Sequence, residues 1–327
     1  MSDAFIFRRG GAGKPKLIGL QITSPPAKTS YIDGETFDPS GLTVAAYIGG
    51  GIAVEIDDYT CSPREISENT QHITISYTLN GVTKTATQAV SVTVADATLA
   101  NNSWAVIAAV AASGKASSKW KVGDAISVDV GGTSRSLQIV GFDHDDLNET
   151  DARYGDASYN GGSGKAAITF RFSQQMTTQY AMNSTATIKG GWDSSNMRKT
   201  VMPQIKGNLP ADLQSVLRTV SKFTSEGTKD TSTGAQASST LIASADTLFL
   251  LSVYECTGSV AAYDKPTASG EGTQYALFAA GNSPNKSYVQ WTRSPQGTKY
   301  FATLDASSGT DYSTPTSEFS ILPGLCI

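Results

Sequence analysis

The sequence is short of histidine and cysteine, with 2 and 3 respectively in 327 residues. His72 and His144 leave little material for a Ser/His/Asp or Cys/His centre, and Cys61, Cys256 and Cys326 lie too far apart for metal-ligand spacing. Reduced thiols, at least partly buried, are the expectation. Charged residues make up only 17% of the chain, so long charge-laced helices are not expected. A net charge of −4 and a pI near 5.3 supply no basic footprint for nucleic acid or anionic lipid. The longest apolar runs, such as Thr247 to Tyr254, fall far below the roughly 20 residues that cross a bilayer, so no membrane insertion is expected. The opening MSDAFIFRRGG sets its arginines after the apolar patch, the reverse of a secretory signal, which argues against export by that route.

What is abundant is glycine, serine, threonine and alanine, the composition of a β-rich, turn-rich protein. Residues 1–16 cannot form a core; Phe5, Ile6 and Phe7 with Arg8 and Arg9 lead into a Gly-rich stretch. From 17 to 95 the apolar period is two. Leu42, Val44 and Ala46 alternate with smaller or polar residues, and Ile73, Ile75, Tyr77 and Leu79 do so more strictly. Asn80-Gly81 follows, the favoured pair for a type I′ hairpin, and TKTATQAVSVTV reads as returning strands. This segment reads as a small all-β sandwich. Residues 96–103 are small and polar and read as a linker.

Beyond Trp104 the elements are mixed, giving an α+β second domain over 104–327. VGDAISVDVGG and SLQIVGF read as a strand pair and AAITFRFS as a further strand. In LPADLQSVLRTVSKF, the residues Leu213, Val216, Leu217, Val220 and Phe223 fall on one helical face, with Pro210 and Asp212 suited to a helix start. A second helical spacing, Met197, Val201 and Ile205, runs into Pro203, which should end or kink it.

Three resemblances extend this reading. MSDAFIFRRGG resembles the opening of tail and fibre proteins of phages infecting Gram-positive bacteria. That implies a virion-attachment role for Phe5, Ile6, Phe7, Arg8 and Arg9. TSPPAKTSYIDGETFDPSGLTVAAY, with ITISYTLNGVTKTA, resembles bacterial immunoglobulin-like spacer domains. From Trp104 to the end, IVGFDHDDLN, MNSTATIKGGWDSSNMR, LPADLQSVLRTVSKFTS, DTLFLLSVYE, GEGTQYALF, WTRSP and PGLCI resemble a family of uncharacterised domains from gut bacteria and their phages. That family implies a C-type-lectin-like fold of two helices, a small antiparallel sheet and ligand-bearing loops.

Within such domains the stretch between the WxRSP and PGxCI motifs resembles the variable region of proteins diversified by retroelements. The variable positions then fall on Tyr300, Thr303, Asp305, Ser307, Asp311, Tyr312, Ser313, Thr314, Thr316, Ser317 and Phe319, and they are expected to bind ligand. Tyr, Ser, Thr and Asp on a rigid frame suit a binding surface. Thr292-Arg293 and Leu322 depart from the commonest pattern. The resemblance implies a non-enzymatic phage virion surface protein, assembled in the host cytoplasm, with a tail or fibre adhesin role. Its partners would be other virion proteins through the N-terminus and a host-surface protein or glycan through the C-terminal domain, and by analogy with fibre-like proteins its assembly would be a homotrimer. The alternative is a structural or decorating protein of tail or head without a dedicated receptor.

The remaining motifs favour plain readings. Asp143, His144, Asp145 and Asp146 lack the Gly and distal Glu of a calcium loop and read as a polar turn. Gly162-Ser163-Gly164-Lys165 lacks the full phosphate-loop spacing. Trp192 and Trp291 read as scaffold rather than sugar platforms. No cofactor, metal or catalytic residue is implied.

Overall fold

The computed structural model describes residues 14–227, 240–259, 268–284, 286–297, 299–305 and 309–327. Phe5, Ile6, Phe7, Arg8, Arg9 and Ser307 lie outside them. The chain divides into two compact units, Met1–Ala95 and Asp96–Ile327.

In the first unit, β1 (Leu17–Ser24), β3 (Thr43–Ile48) and β4 (Ile52–Ile56) form one antiparallel sheet. β5 (Thr60–Ser62), β6 (His72–Leu79) and β7 (Val82–Ala89) form another, and β2 (Ser30–Ile32) pairs in parallel with β8 (Ser91–Thr93). The period-two pattern has its expected effect: Ile73 and Ile75 are fully buried while their neighbours reach solvent in part. Val44 meets them from the other sheet, with Tyr31, Phe37, Leu42 and Ile66 completing the core. Each such aliphatic burial contributes roughly 1.5–3 kcal/mol. Tyr31 is buried without loss because its hydroxyl donates to Lys28 O (3.0 Å) and accepts from the Asp38 amide (3.2 Å). The β6–β7 hairpin turns on Asn80 and Gly81 at φ 51° and 80°, the two positive values a type I′ turn needs.

The second unit begins earlier than its composition suggests. Residues 96–103, expected as a linker, are folded into it: Leu99 is buried, the Asn102 side chain braces Asp96 and Thr98, and Trp120 Nε1 donates to Asp96 O at 3.2 Å. Ser103 then caps α1 (Trp104–Ala112), and the short α2 (Ala116–Lys119) follows.

A five-stranded antiparallel sheet is the centre of this unit. β9 (Ala125–Val130) and β10 (Thr133–Phe142) form the expected pair and β11 (Ile168–Phe172) the expected third strand, every residue of which is buried. The PGLCI end supplies β20 (Gly324–Cys326), inserted between β11 and β15 (Leu248–Phe249) in the order β15-β20-β11-β10-β9.

The longer helix expectation needs correction, while the helical spacing of Met197, Val201 and Ile205 holds, with all three buried. LPADLQSVLRTVSKF is helical only over α5 (Ala211–Val216); Leu217 is extended (φ −61°, ψ 137°), and β13 (Val220–Ser225) pairs with β14 (Leu241–Asp246). Val220, Lys222 and Thr224 point inward on β13 while Phe223 is 41% exposed. Helical spacing placed Phe223 on the apolar face; the strand instead exposes it and buries Lys222 against its counter-ions. Around Pro203, α3 (Gly191–Ser194) is followed by a π-helical turn (Met197–Val201) that runs directly into α4 (Met202–Gly207). The wider turn makes room for the proline ring and its missing N–H, so the proline stands at a helix start. No described helix is long and apolar enough to cross a membrane.

The last stretch contains α6 (Val253–Thr257), α7 (Ala276–Ala279) and a sheet of β16 (Gln290–Gln296), β17 (Tyr300–Asp305) and β18 (Gly309–Ser313). β12 (Tyr180–Ala181) pairs with β19 (Glu318–Phe319) beside it.

Candidate functional site

The WTRSP and PGLCI motifs, which bracket the expected binding segment, are both interior strands. β16 is buried throughout. Its pairing with β17 slips between Trp291↔Thr303 and Pro295↔Phe301, so that Thr292, Arg293 and Ser294 face the single residue Ala302. This bulge turns consecutive side chains inward. Thr292 Oγ1 donates to Ala302 O (2.8 Å), the Arg293 amide to Leu251 O (3.1 Å), and Ser294 Oγ accepts from the Val253 amide (3.0 Å). Trp291 is buried as scaffold, its indole N–H on Tyr180 O at 2.8 Å.

Arg293, fully buried, reaches a closed charge network. Both its terminal nitrogens donate to Glu255 and one also to Glu271 O. Glu255 in turn accepts from Lys222 (3.0 Å), and Lys222 pairs with Asp145 and donates to the Tyr275 hydroxyl (2.9 Å). Burial alone would raise the Asp145 carboxyl, but the Lys222 ammonium, with His144, holds it well below the usual carboxylate range. Burial likewise opposes Glu255, whose carboxyl is kept low by Arg293 and then Lys222. Burial would lower the Lys222 ammonium, yet Asp145 and Glu255 raise it. Glu271 differs: burial dominates and pushes its carboxyl up to about 7, only partly offset by Arg293 and its hydrogen bond to Ser294. Two carboxylates therefore balance two cations. Beside the network lies a pocket of about 170 Å³ walled by His144, Asp146, Lys165 and Thr273.

On this frame the hairpin β17–β18 presents its outer positions. Ala302 faces Tyr312 and Leu304 faces Thr310, so Tyr300, Tyr312 and Thr310 share one face. The rings of Tyr300 and Tyr312 meet as a diagonal pair, centroids 4.8 Å apart. Tyr312 is 44% exposed and Tyr300 half-buried. Asp311, Ser313 and Asp305 belong to the opposite face. Thr314 and Thr316 are exposed in a turn closed by the Ser317 amide on Thr314 O (2.9 Å), with Ser317 half-buried.

One of the expected ligand-binding residues, Thr303, is corrected to a frame position, and a second, Phe319, also contacts the frame. Thr303 is 2% exposed, packed between β16 and β18. Phe319 is half-buried edge-on against Trp291, centroids 5.0 Å apart, and its strand is paired with Tyr180. The remaining described candidates are thus spread over two faces and a turn rather than forming one continuous surface.

The Asp143–Asp146 run disperses instead of converging. Asp143 accepts from Asn160 (2.6 Å), His144 stacks on Tyr275 and bonds Thr273, Asp145 enters the network, and Asp146 pairs with Lys165 (2.7 Å). Among the described residues no three His, Cys, Asp or Glu side chains come together to hold a metal ion. Gly162 to Lys165 is a turn in which Ser163 Oγ accepts from the Lys165 amide. Cys61 is partly buried, Cys256 and Cys326 are buried, and all three are free. Burial pushes the Cys256 thiol up to about 12 and the Cys326 thiol well above its usual value. Neither is a ready nucleophile.

The network itself escaped sequence reasoning. One signal was local: Ser252-Val-Tyr-Glu255 is a capping box in which Ser252 Oγ accepts from the Glu255 amide and Glu255 from the Ser252 amide. That Glu255 also receives Arg293 depends on contacts across the fold.

Comparison with known families finds one match in each unit. Residues 24–94 match the family described as Bacterial Ig-like domain (group 3). Residues 168–327 match a family described as Domain of unknown function (DUF6273), a span that holds both bracketing motifs and the charge network apart from Asp145. No curated protein matches the chain. The chain therefore carries a bacterial Ig-like domain of group 3 toward its N-terminus and, C-terminally, a domain of the family DUF6273.

Proposed function

We propose that the protein is a non-enzymatic virion surface protein of a phage, in which the C-terminal unit, C-type-lectin-like in kind, binds a host or mucosal ligand and the Ig-like unit acts as spacer. The observation that carries the binding role is the Tyr300–Tyr312 pair, held at the surface of a hairpin whose inner strand is buried and pinned by Arg293 and Trp291. Aromatic side chains on a rigid support give large contact area at low entropic cost. Thr310, Thr314 and Thr316 add hydroxyls that can change without touching the core. The titratable groups inside support a non-catalytic reading: Lys222 and Arg293 neutralise Asp145 and Glu255, and the buried thiols are held protonated. The virion assignment rests on the sequence of the first residues and of the C-terminal segment.

The test uses the full chain on mucin and on intact host cells, alongside Tyr300→Ala/Tyr312→Ala. Saturable binding lost in the double variant, with melting unchanged, supports the reading; equal binding by both proteins overturns the tyrosine face as the site. Deleting residues 2–12 in a phage that encodes the protein should abolish its incorporation into particles, and normal incorporation would refute the attachment role.

A further inference from the structure

The buried cations of the second unit are not all compensated. Lys222 and Arg293 have carboxylate partners, but Arg171, on β11 and 6% exposed, pairs with no carboxylate among the described residues. Among the described residues its terminal nitrogens donate only to Pro284 O and the Gln290 amide oxygen, its Nε has no partner, and the guanidinium lies 5.4 Å from the Phe278 ring centroid. A buried guanidinium satisfied only by neutral acceptors leaves a net positive field around it.

Lys286, Ser287 and Tyr288, close in sequence to the Arg171 partners Pro284 and Gln290, wall one side of a groove of about 580 Å³. Arg135 on β10 and the turn after β11 form the rest. Arg135 and Lys286 are its charged residues, and among the described residues no Asp or Glu lines it, in a chain with more acids than bases. Burial and then Arg171 push the Lys286 ammonium down from its ordinary value, a cost that an entering anion would reverse. The walls are otherwise neutral donors and acceptors, several already oriented. Arg135 donates to Thr177 Oγ1 (2.7 Å) and Gln175 accepts from Ser320 (2.5 Å), while the half-buried Tyr288 ring offers an aromatic wall.

We propose that this groove binds an acidic saccharide, with its carboxylate or sulfate between Arg135 and Lys286 and its hydroxyls on the amide and hydroxyl side chains around Gln175. The paired cations select the anionic group, and the density of neutral hydrogen-bonding groups beside an aromatic ring favours a sugar over a bare ion. It is a second ligand site that uses none of the tyrosine-face residues, so either can fail alone.

Met176 lines the groove, whereas Met182, Met197 and Met202 are buried elsewhere, so methyl-labelled methionine in the full chain reports on it. Glucuronate, glucose 6-sulfate, glucose and inorganic sulfate serve as probes. The expected result is a saturable shift of the Met176 methyl with glucuronate, with glucose 6-sulfate, or with both, which also identifies the anion. Glucose should leave it unmoved, and Arg135→Gln/Lys286→Gln should weaken the response at least tenfold with its melting temperature retained. Lys286→Arg, which keeps the charge, should still respond should the double variant fold poorly. A response to glucose equal to that of the acidic sugars, an equal response to inorganic sulfate, or no response at all overturns the proposal.

Discussion

Arg293 and Glu255, on β16 and α6, form a two-pronged ion pair in which both side chains are almost wholly removed from solvent. The pair fastens β16, which borders the β17–β18 hairpin, to α6. Arg293→Met leaves Glu255 with Lys222 alone and should destabilise the second unit by about 3–5 kcal/mol, since removing one partner strands a buried charge. Arg293→Lys keeps the charge but loses the fork and should fall between. Urea unfolding of the three proteins measures the order; an Arg293→Met protein as stable as the parent would show that the pair contributes nothing net.

Glu271 gives stability an alkaline limb. Its folded carboxyl titrates at about 7 against an ordinary 4.5, so the protonated form is favoured by folding. The sign follows: this contribution is complete below 4.5, shrinks as the pH rises, and is lost above about 7. At about 1.4 kcal/mol per pH unit the loss is on the order of 3 kcal/mol. Asp145 and Glu255, whose carboxyls are depressed, act in the opposite sense, contributing above the ordinary carboxylate range and losing that contribution in acid. Melting temperature should therefore fall between about pH 5 and pH 8, and Glu271→Gln should flatten that fall. A parallel pH dependence in the variant would assign it to another group.

Gly272 sits where a side chain has no room. At φ 139° an added Cβ would approach Glu255 Oε1 to 2.8 Å and Cγ to 2.9 Å. Glu255 cannot yield, because Arg293, Lys222 and the Ser252 amide all hold it. Gly272→Ala should cost roughly 1–3 kcal/mol through backbone strain and crowding together. Thermal melting decides it; an unchanged transition would mean that the network is free to shift.

How much of this was legible in the sequence depended on the range of the interactions. The strands of the first unit were readable because Ile73, Ile75 and the Asn80-Gly81 turn are local signals, and so was the β9–β10–β11 series. β13 was misread because Val216, Leu217, Val220 and Phe223 satisfy the helical period, while the strand is decided by the β14 ladder and by the carboxylates that receive Lys222. The same limit applies to the candidate site. Its bracketing motifs were found, but sidedness was not, since β17 is buried on both of its faces from Phe301 to Leu304, which alternation along the segment does not reveal. Thr303 was consequently assigned to the ligand, and the edge-on contact of Phe319 with Trp291, which joins β19 to β16, is a contact across the fold.

Chelators should leave the melting temperature of the second unit unchanged. The acidic run from Asp143 to Asp146 is already engaged by Asn160, Lys222 and Lys165, and a cation would have to displace Lys222 from a buried pair to gather its carboxylates. A drop of several degrees with EDTA would require a bound cation at another place in the chain.

Phe319 and Tyr312, both assigned to ligand contact from sequence, should separate under mutation. Tyr312 is 44% exposed at the outer strand, so Tyr312→Ala should change stability by less than about 1 kcal/mol while weakening ligand capture, as aromatic contacts dominate at other interfaces. Phe319 packs edge-on against Trp291 beneath the hairpin, and Phe319→Ala should open a cavity there at a cost of roughly 2–4 kcal/mol. Thr303 provides the control: Thr303→Val keeps its volume in a 2% exposed position and should leave capture intact. Urea unfolding and binding measured on the same preparations give two independent axes. The expected pattern is Tyr312→Ala displaced along the binding axis alone and Phe319→Ala along the stability axis first. The opposite pattern, with Tyr312→Ala unfolded and Phe319→Ala stable but unable to bind, would move the ligand face to the β12–β19 side of the unit.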